Sequence, residues 1–256
     1  GEERQGYENF SGTMLGVQGR LRRNEHNNVH NFDQYAQAQW KPYPRWLLLA
    51  GIRNSNVRVQ SHDFYIAPGN GDDSGAVRYY ATTPVLGATY RVADNANLYA
   101  SYGKGFETPT LNELSYRPGS PAAAGFNFDL QPSRSDHIEI GVKSRIGEHA
   151  RLNFAAFHVN TKNEITIASN TGGRAVYRNA GETRRNGFEL GLEGKWPNGL
   201  GILLSWSMLD AQYATSFCSG NCTPATTVAA GNRIPGVPRQ TGCGELSWRA
   251  PERGLS

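Results

Sequence analysis

Apolar and polar residues alternate one by one through several segments of this chain. In the two clearest segments, apolar residues on one face oppose glycines and charged residues on the other: Ile138, Ile140 and Val142 against Glu139, Gly141 and Lys143, and Phe188, Leu190 and Leu192 against Glu189, Gly191 and Glu193. Successive side chains of a β-strand point to opposite sides, so a period of two indicates strands with one apolar face. The pattern therefore predicts an all-β chain.

The alternation predicts about ten strands in the chain. They lie near residues 13–23, 31–41, 45–59, 80–92, 97–106, 134–146, 150–163, 183–196, 200–213 and 238–249. A strand of about ten residues that rises about 3.3 Å per residue and tilts near 45° spans about 23 Å, close to the height of an outer-membrane apolar band. Strands of soluble β-sandwiches are usually shorter, at about five or six residues. Strand length therefore favours a transmembrane β-barrel.

Short and long connections alternate between the predicted strands. The pattern predicts tight turns near residues 41–45, 92–97, 146–151 and 196–200, and long connections near 24–30, 60–79, 107–133, 164–182 and 214–237. In outer-membrane barrels, short turns face the periplasm and long loops face outside. The connections therefore predict a section of an antiparallel transmembrane β-barrel, with short periplasmic turns and with long extracellular loops that carry recognition.

The composition is compatible with a barrel, although it is polar overall. The chain has 256 residues, a mean hydropathy of −0.57 and 38% hydrophobic residues. It contains no run of the roughly 18 apolar residues that a spanning helix needs, but a barrel strand needs an apolar residue only at every second position. A soluble β-rich binding module is the alternative, and it predicts a protein that stays in water without detergent.

Charge and motifs argue against nucleic-acid binding and catalysis. The net charge is +4, but Lys and Arg are scattered through turns, loops and one strand face instead of forming a patch. The sequence has no Walker A motif, no G-x-S-x-G elbow and no recognisable context for a catalytic triad. We therefore expect no nucleic-acid partner, no enzymatic activity and no cofactor.

Two polar segments could suggest a metal site, and neither has the required pattern. Asp72 and Asp73, in GNGDDSG, lack the ligand spacing of an EF-hand loop. His26 and His30 lie four residues apart in HNNVH, which has no helical pattern. We expect a solvated turn at the first segment, exposed loop residues at the second, and no metal.

Cys218 and Cys222 lie close together in the predicted connection 214–237. An oxidising cell surface favours a disulfide between them, and that connection has no His or Asp to complete a tetrahedral metal site. The sequence therefore predicts a Cys218–Cys222 disulfide. Cys243, in a predicted strand, is expected to be a small lipid-facing or packed side chain.

One segment resembles the barrel of TonB-dependent outer-membrane receptors. In LYASYGKGFETPTLNELSYRP (98–118), an aromatic strand runs into a G-x-G-F-x-x-P-T-L-x-E-L motif, as it does in that family. Further segments agree in the same order: LQPSRSDHIEIGVK (130–143), YRNAGETRRNGFELGLE (177–193) and RIPGVPRQ (233–240), with a weaker match in FDQYAQAQW (32–40). The resemblance extends across nearly the whole chain.

The resemblance implies a receptor of the Gram-negative outer membrane that binds a scarce ligand on its outer loops. In this family the ligand is usually a ferric siderophore, and sometimes haem, cobalamin or a sugar, and TonB drives uptake through a plug domain inside a 22-stranded barrel. Residues 1–256 resemble only a middle-to-late part of that barrel, so the plug domain and the C-terminal strands are expected outside them. The expected partners are outer-membrane lipid, TonB and a ferric siderophore. A passive porin-like channel, or another barrel without TonB coupling, is the alternative.

The predicted long connections and adjacent strand ends contain the candidate ligand-binding residues: Tyr65, Tyr79, Tyr80, Tyr116, Arg117, Phe126, Arg174, Tyr177 and Arg178. Guanidinium groups can donate hydrogen bonds to an anionic ferric complex, and aromatic rings can contact its apolar or catecholate groups. A second interpretation is that Arg174, Arg178, Arg184 and Arg185 neutralise lumen carboxylates such as Glu139, Glu189 and Glu193.

Overall fold

The computed structural model describes residues 1–118, 125–171, 174–218, 223 and 226–250. The regular structure of these residues is β-strand: β1 (Glu2–Tyr7), β2 (Phe10–Ser11), β3 (Met14–Leu15), β4 (Leu21–Trp40), β5 (Trp46–Asp63), β6 (Gly75–Ala93), β7 (Ala96–Glu107), β8 (Ser133–Ile146), β9 (Ala150–Lys162), β10 (Ile165–Thr171), β11 (Arg174–Asn179), β12 (Glu182–Lys195), β13 (Leu200–Tyr213), β14 (Phe217–Cys218), β15 (Thr227–Val228) and β16 (Gln240–Trp248). Within the described ranges, no helix is long and apolar enough to cross a membrane.

Ten of these strands form one antiparallel sheet in the order β1-β4-β5-β6-β7-β8-β9-β12-β13-β16. Its neighbours follow one another along the chain and are interrupted only by the small hairpins β2–β3, β10–β11 and β14–β15. Among the described strands, β1 and β16 are the two edges and do not pair with each other, so the barrel is not closed by this chain. The predicted all-β, antiparallel barrel section is confirmed.

The connections differ greatly in length at the two ends of the sheet. Residues 41–45, 94–95, 147–149 and 196–199 form short turns at one end, whereas residues 8–20, 64–74, 108–132, 163–181 and 214–239 connect the strands at the other. The turn at 196–199 closes through Gly199, whose φ of 85° lies in the left-handed region that glycine adopts without strain. We call these two ends the short-turn end and the long-connection end.

The first strands are longer than the sequence predicts. The predicted connection 24–30 is wrong, because these residues lie inside β4, and the first long connection is 8–20. The predicted strand 13–23 is also wrong, because residues 13–20 belong to the connection 8–20 and β4 begins at Leu21. The connection predicted at 60–79 is shorter and comprises residues 64–74. A strand of about 19 residues tilted near 45° rises about 44 Å, well beyond an apolar band of about 25 Å. Beyond that band neither face has to be apolar, so the alternation disappears although the strand continues.

The strand register aligns apolar residues on one face of the sheet. One row of paired positions crosses eight strands, and every member is apolar: Trp40, Leu48, Ala88, Ala100, Ile140, Ala156, Phe188 and Met208. We call this face the outer face and the opposite one the inner face. On the inner face, Tyr99 donates its hydroxyl hydrogen bond to Glu139 Oε1 at 2.7 Å. The predicted separation of an apolar from a polar face is therefore present.

Cys243 lies on the inner face, whereas the sequence predicts a lipid-facing or packed side chain. It pairs in register with Ser205 and is an exposed free cysteine. Its neighbours Gly242 and Gly244 lie on the outer face, opposite Trp206 and Leu204.

A small hydrophobic core lies near the long-connection end. Its buried members are Val59, Tyr79, Leu114, Phe126 and Leu130, each no more than 3% exposed. Val59 and Tyr79 belong to β5 and β6, and the other three belong to the connection 108–132. That connection therefore folds back onto the sheet.

Candidate ligand site at the long-connection end

The connection between β7 and β8 covers the inner face of the sheet. We call its described residues, 108–118 and 125–132, the covering segment. Its first part is a single tight turn in which Leu114 N–H donates to the Thr110 carbonyl at 3.0 Å. Glu113 Oε2 accepts from both the N–H and the hydroxyl of Thr110, at 2.8 and 2.9 Å. These bonds explain why Thr, Glu and Leu occur at this spacing in TPTLNEL.

The second part of the covering segment is fixed to the sheet. Tyr79 donates its hydroxyl hydrogen bond to the Leu130 carbonyl at 3.0 Å. The rings of Phe126 and Phe128 are 5.9 Å apart between centroids. An ion pair joins Arg117 to Asp73 in the neighbouring connection 64–74. The segment is therefore attached to β6 and to a second connection.

Beneath the covering segment, β4 buries a charged pair on the inner face. Arg23 and Glu25 are 7% and 3% exposed, and Arg23 Nε donates to Glu25 Oε1. The fully buried Asn27 donates to Glu25 Oε2 at 3.4 Å and to Glu2 Oε1 at 3.3 Å. Removing two charges from water is costly, so such a pair needs close partners. Arg23 Nη2 and Asn27 Oδ1 are buried without a partner among the described residues.

Aromatic rings and further arginines surround this pair. The Arg23 guanidinium lies 5.3 Å from the centroid of the Tyr116 ring and 5.8 Å from that of Phe126. The Arg174 guanidinium on β11 lies 6.0 Å from the centroid of the same Tyr116 ring. Arg4 on β1 donates to Asn112 Oδ1 at 3.0 Å and also to the Ser115 hydroxyl. We call Arg4, Arg23, Tyr116 and Arg174 the arginine–tyrosine cluster.

The cluster has the chemistry to hold an anionic ligand. Guanidinium groups donate paired hydrogen bonds to carboxylate-like oxygens, and a phenol ring stacks on planar groups. Both Tyr116 and Arg174 are partly exposed, whereas Arg23 is buried behind them. A ligand arriving from the long-connection end would therefore meet Tyr116 and Arg174 first.

The structure brings five of the predicted ligand residues to this region and gives them different roles. Tyr116 and Arg174 belong to the cluster. Tyr79 and Phe126 are 3% and 2% exposed, and Tyr177 packs against the same core. Tyr79 and Phe126 are therefore too buried to offer a surface to a ligand, whereas Tyr177 packs on the core and stays partly exposed.

The other four predicted residues do not belong to the cluster. Tyr80 is on the outer face and 68% exposed. Tyr65 lies in the connection 64–74, where its carbonyl accepts from Asn70 Nδ2 at 2.6 Å. The Arg178 guanidinium lies 4.8 Å from the Phe217 ring centroid, and burial lowers its pKa below the usual range of arginine. Arg117 pairs with Asp73, as described above.

Two members of the cluster were missed in the sequence. Arg4 lies before the first predicted strand, and Arg23 lies at the boundary of the predicted connection 24–30. The signal that could have found Arg23 is the period-two series Arg23, Glu25 and Asn27, whose side chains share one face of β4.

Among the described residues, no ion pair joins the arginines of the long-connection end to the predicted partners Glu139, Glu189 and Glu193, although Arg185 pairs with another glutamate. Arg185 pairs with Glu164 at 2.7 Å, and Glu139 accepts from Tyr99. Arg174 and Arg178 lie against aromatic rings. The arginines of the long-connection end are therefore arranged around rings more than around the predicted glutamates.

The predicted disulfide and metal features lie outside this cluster. Cys218 is disulfide-bonded, and Cys222 lies outside the described residues, so their pairing stays a prediction. Hydrogen bonds from Ser74 lower the pKa of the Asp72 carboxyl, and the Ser74 N–H donates to Asp72 Oδ1 at 2.8 Å. In the part of the chain that the structure describes, no three His, Cys, Asp or Glu residues are grouped to hold a metal ion.

Comparison with known proteins identifies a family for almost the whole chain. The family model described as "TonB dependent receptor-like, beta-barrel" matches residues 3–255. The probable TonB-dependent siderophore receptor PiuA of Acinetobacter baumannii is 29% identical over 208 residues, which are 77% of this chain and 26% of that protein. The metal-pseudopaline receptor CntO of Pseudomonas aeruginosa is 27% identical over 223 residues, which are 85% of this chain and 28% of that protein. The chain therefore spans about a quarter of the length of the curated relatives it matches.

The fold is also similar to that of a solved receptor. The crystal structure of the siderophore receptor PiuA from Acinetobacter baumannii has a TM-score of 0.68 to this chain at 22% sequence identity. The likeness covers 90% of this chain and 32% of that one. At 22% identity, this likeness shows only that the two chains share the fold of a β-barrel wall.

Proposed function

Because this chain belongs to the TonB-dependent receptor β-barrel family, we propose that it forms part of the wall of an outer-membrane receptor that takes up a scarce ligand. The proposed ligand is a ferric siderophore, and the proposed membrane is the outer membrane of a Gram-negative bacterium. The relatives named as a probable siderophore receptor and as a metal-pseudopaline receptor support this assignment. Family proteins are transport receptors and not enzymes, which agrees with the absence of catalytic motifs from the sequence.

The arginine–tyrosine cluster is the observation that carries the proposal. It lies on the inner face at the long-connection end, where a ligand entering the barrel from outside would pass. Arg174 and Tyr116 offer a guanidinium and a phenol ring next to each other, 6.0 Å apart. Ferric siderophores present several oxygens around a metal ion, often with net negative charge, and guanidinium donors match such oxygens.

The proposal places the outer face of the sheet against lipid and the long connections outside the cell. The aligned apolar row supports the first placement, and the length of the connections supports the second. TonB is the proposed energy-transducing partner. We propose that a plug domain and the remaining barrel strands lie in parts of the receptor other than residues 1–256, and sequencing the DNA on both sides of this coding segment tests that point.

Binding to the purified full-length receptor tests the function. The probe is the ferric tris-catecholate complex of 2,3-dihydroxybenzoate, added to receptor in detergent while tryptophan fluorescence is followed. A receptor gives a saturable quench that an Arg174→Gln variant weakens. A quench that rises linearly without saturation, or flux of unrelated small solutes through receptor in liposomes, would support a passive channel and contradict the proposal.

A further inference from the structure

Two rows of aromatic residues on the outer face mark the edges of the proposed membrane. Trp46 and Tyr90 pair in register near the short-turn end, with ring centroids 4.8 Å apart. Phe32 and Tyr80 are both register partners of Asn56 and are 66% and 68% exposed. Tyr80 and Tyr90 share one strand and one face, and about ten residues of strand tilted near 45° rise about 23 Å. This height is close to that of an outer-membrane apolar band, and aromatic rings favour its two interfaces.

The next row toward the long-connection end is cationic. His30 pairs in register with Arg58, and Arg58 pairs with Arg78. All three side chains are exposed on the outer face. This cationic row lies two residues farther along each strand than the aromatic row. It is therefore about 5 Å higher, at the level of lipid head groups.

Arg58 and Arg78 face each other, and no acid among the described residues forms an ion pair with either of them. Like charges directly opposite on neighbouring strands destabilise a sheet. The strands β4, β5 and β6 are described over their full length, and none of them has an Asp or Glu on the outer face. An anion bound between Arg58 and Arg78 would remove this repulsion.

A third arginine lies beside the aromatic row. Arg134 Nη2 donates to the Tyr80 carbonyl at 2.9 Å, and the residue is exposed. The nearby acid Asp136 is already bonded to the Tyr102 hydroxyl at 2.8 Å and to Lys104 Nζ at 3.2 Å. Arg134 therefore adds positive charge at the aromatic row, directly below the cationic row.

Below the cationic row, the outer face is indented where small side chains meet. A groove of about 750 Å³ is lined by Ala38, Ala50, Ala88 and Ala100, between the larger Trp40 and Ile138. It lies in the apolar part of the face, where an acyl chain would fit. A free anion has no acyl chain and would not occupy this groove, whereas a lipid would.

We propose that Arg58, Arg78 and His30, with Arg134, bind the phosphate of a phosphorylated lipid whose acyl chains lie against the apolar outer face. Guanidinium groups bind phosphate through paired, charge-assisted hydrogen bonds. Basic residues at the membrane surface attract anionic lipids. This inference rests on the membrane placement proposed above and not on the identity of the transported ligand.

Lipid binding by the purified full-length receptor tests the proposal. The probe is dioleoyl phosphatidic acid, counted by native mass spectrometry, with dioleoylglycerol as the lipid that lacks phosphate and with inorganic phosphate as the anion that lacks acyl chains. The R58Q/R78Q variant is compared with R45Q/R91Q, which removes two exposed arginines from the short-turn end of the same strand pair. An R58K/R78K variant keeps the charge without the planar donors, and circular dichroism confirms folding.

We expect R58Q/R78Q to bind phosphatidic acid at least tenfold more weakly, R45Q/R91Q to bind like the unmodified receptor, and R58K/R78K to bind with intermediate affinity. Equal binding by all variants, or an equal loss in R45Q/R91Q, would overturn the site. Displacement of the lipid by equimolar inorganic phosphate would show that a free anion is the occupant and would overturn the lipid assignment. Ferric tris-catecholate binding is measured separately, so a failure of either proposal does not affect the reading of the other.

Discussion

Tyr79 on β6 donates a hydrogen bond from its hydroxyl to the main-chain carbonyl of Leu130, 3.0 Å away, and both side chains are almost completely buried. The bond joins a barrel strand to a residue 51 positions later in the chain. It holds the covering segment on the inner face, next to the arginine–tyrosine cluster. The shape of the proposed ligand site therefore depends on the Tyr79–Leu130 hydrogen bond, which is not itself part of the site.

Removing this hydroxyl should loosen the covering segment. In Tyr79→Phe the buried Leu130 carbonyl loses its partner, and an unsatisfied buried acceptor costs about 1–3 kcal/mol. We expect faster proteolytic cleavage within residues 108–132 of the full-length receptor. Tyr80→Phe is the matched control, because Tyr80 is exposed on the opposite face. Equal cleavage rates in the two variants would show that the Tyr79 bond does not hold the segment.

Breaking the buried Arg23–Glu25 pair should destabilise the long-connection end. Arg23→Met leaves the Glu25 carboxylate buried without its cation, which costs about 3–5 kcal/mol. The double variant R23M/E25L leaves no buried charge at these two positions and should recover much of this loss. Urea unfolding of the three proteins, followed by circular dichroism, measures the difference. A double variant that is less stable than Arg23→Met would contradict this account of the pair.

Arg174 and Arg178 lie on the same strand and should affect ligand binding differently. Arg174 lies near the partly exposed Tyr116 ring, whereas Arg178 is packed on Phe217. Loss of one charge-assisted contact is worth about 1.4 kcal/mol, so Arg174→Gln should weaken ferric tris-catecholate binding about tenfold. Arg178→Gln should bind as the unmodified receptor does. The same loss in both variants would mean that net charge, and not the cluster, attracts the ligand.

The turn between β12 and β13 should tolerate no side chain at Gly199. Gly199 and Gly231 have nearly the same φ, 85° and 86°, so alanine is strained by its backbone at both positions. A Cβ at Gly199 would also collide with the Arg249 carbonyl oxygen, whereas nothing lies within 4 Å of a Cβ at Gly231. Gly199→Ala should therefore lower the melting temperature of the full-length receptor more than Gly231→Ala does. Equal melting temperatures for the two variants would count against the close approach of Arg249.

The strands that could be predicted well are those within the apolar band. The predicted ranges 134–146 and 183–196 differ by one residue at most from β8 (Ser133–Ile146) and β12 (Glu182–Lys195). Apolar residues alternate with charged residues and glycines through 138–143 and 188–193, because one face contacts lipid and the other the lumen in the proposed placement. The sequence pattern predicts two strands in place of β4, because residues 24–30 lie beyond the band, where polar residues occupy both faces.

The candidate site could be predicted only in part, because its geometry depends on distant contacts. Tyr116 and Arg174 were identified as loop residues of suitable chemistry. Their association with Arg23, which precedes Tyr116 by 93 positions, depends on the covering segment folding inward. No local pattern in 108–132 distinguishes a loop that folds inward from one that extends outward. The outer-face position of Tyr80 follows from strand register, which was predicted too coarsely to separate it from Tyr79.

Uptake by living cells shows whether this chain belongs to an energised receptor. Cells that make the full-length receptor are supplied with the ferric tris-catecholate complex labelled with radioactive iron, in strains with and without TonB. We expect saturable uptake that requires TonB and that falls in the Arg174→Gln variant, while the Arg178→Gln variant transports normally. Uptake that continues without TonB and increases linearly with concentration would contradict the claim that this chain belongs to an energised receptor.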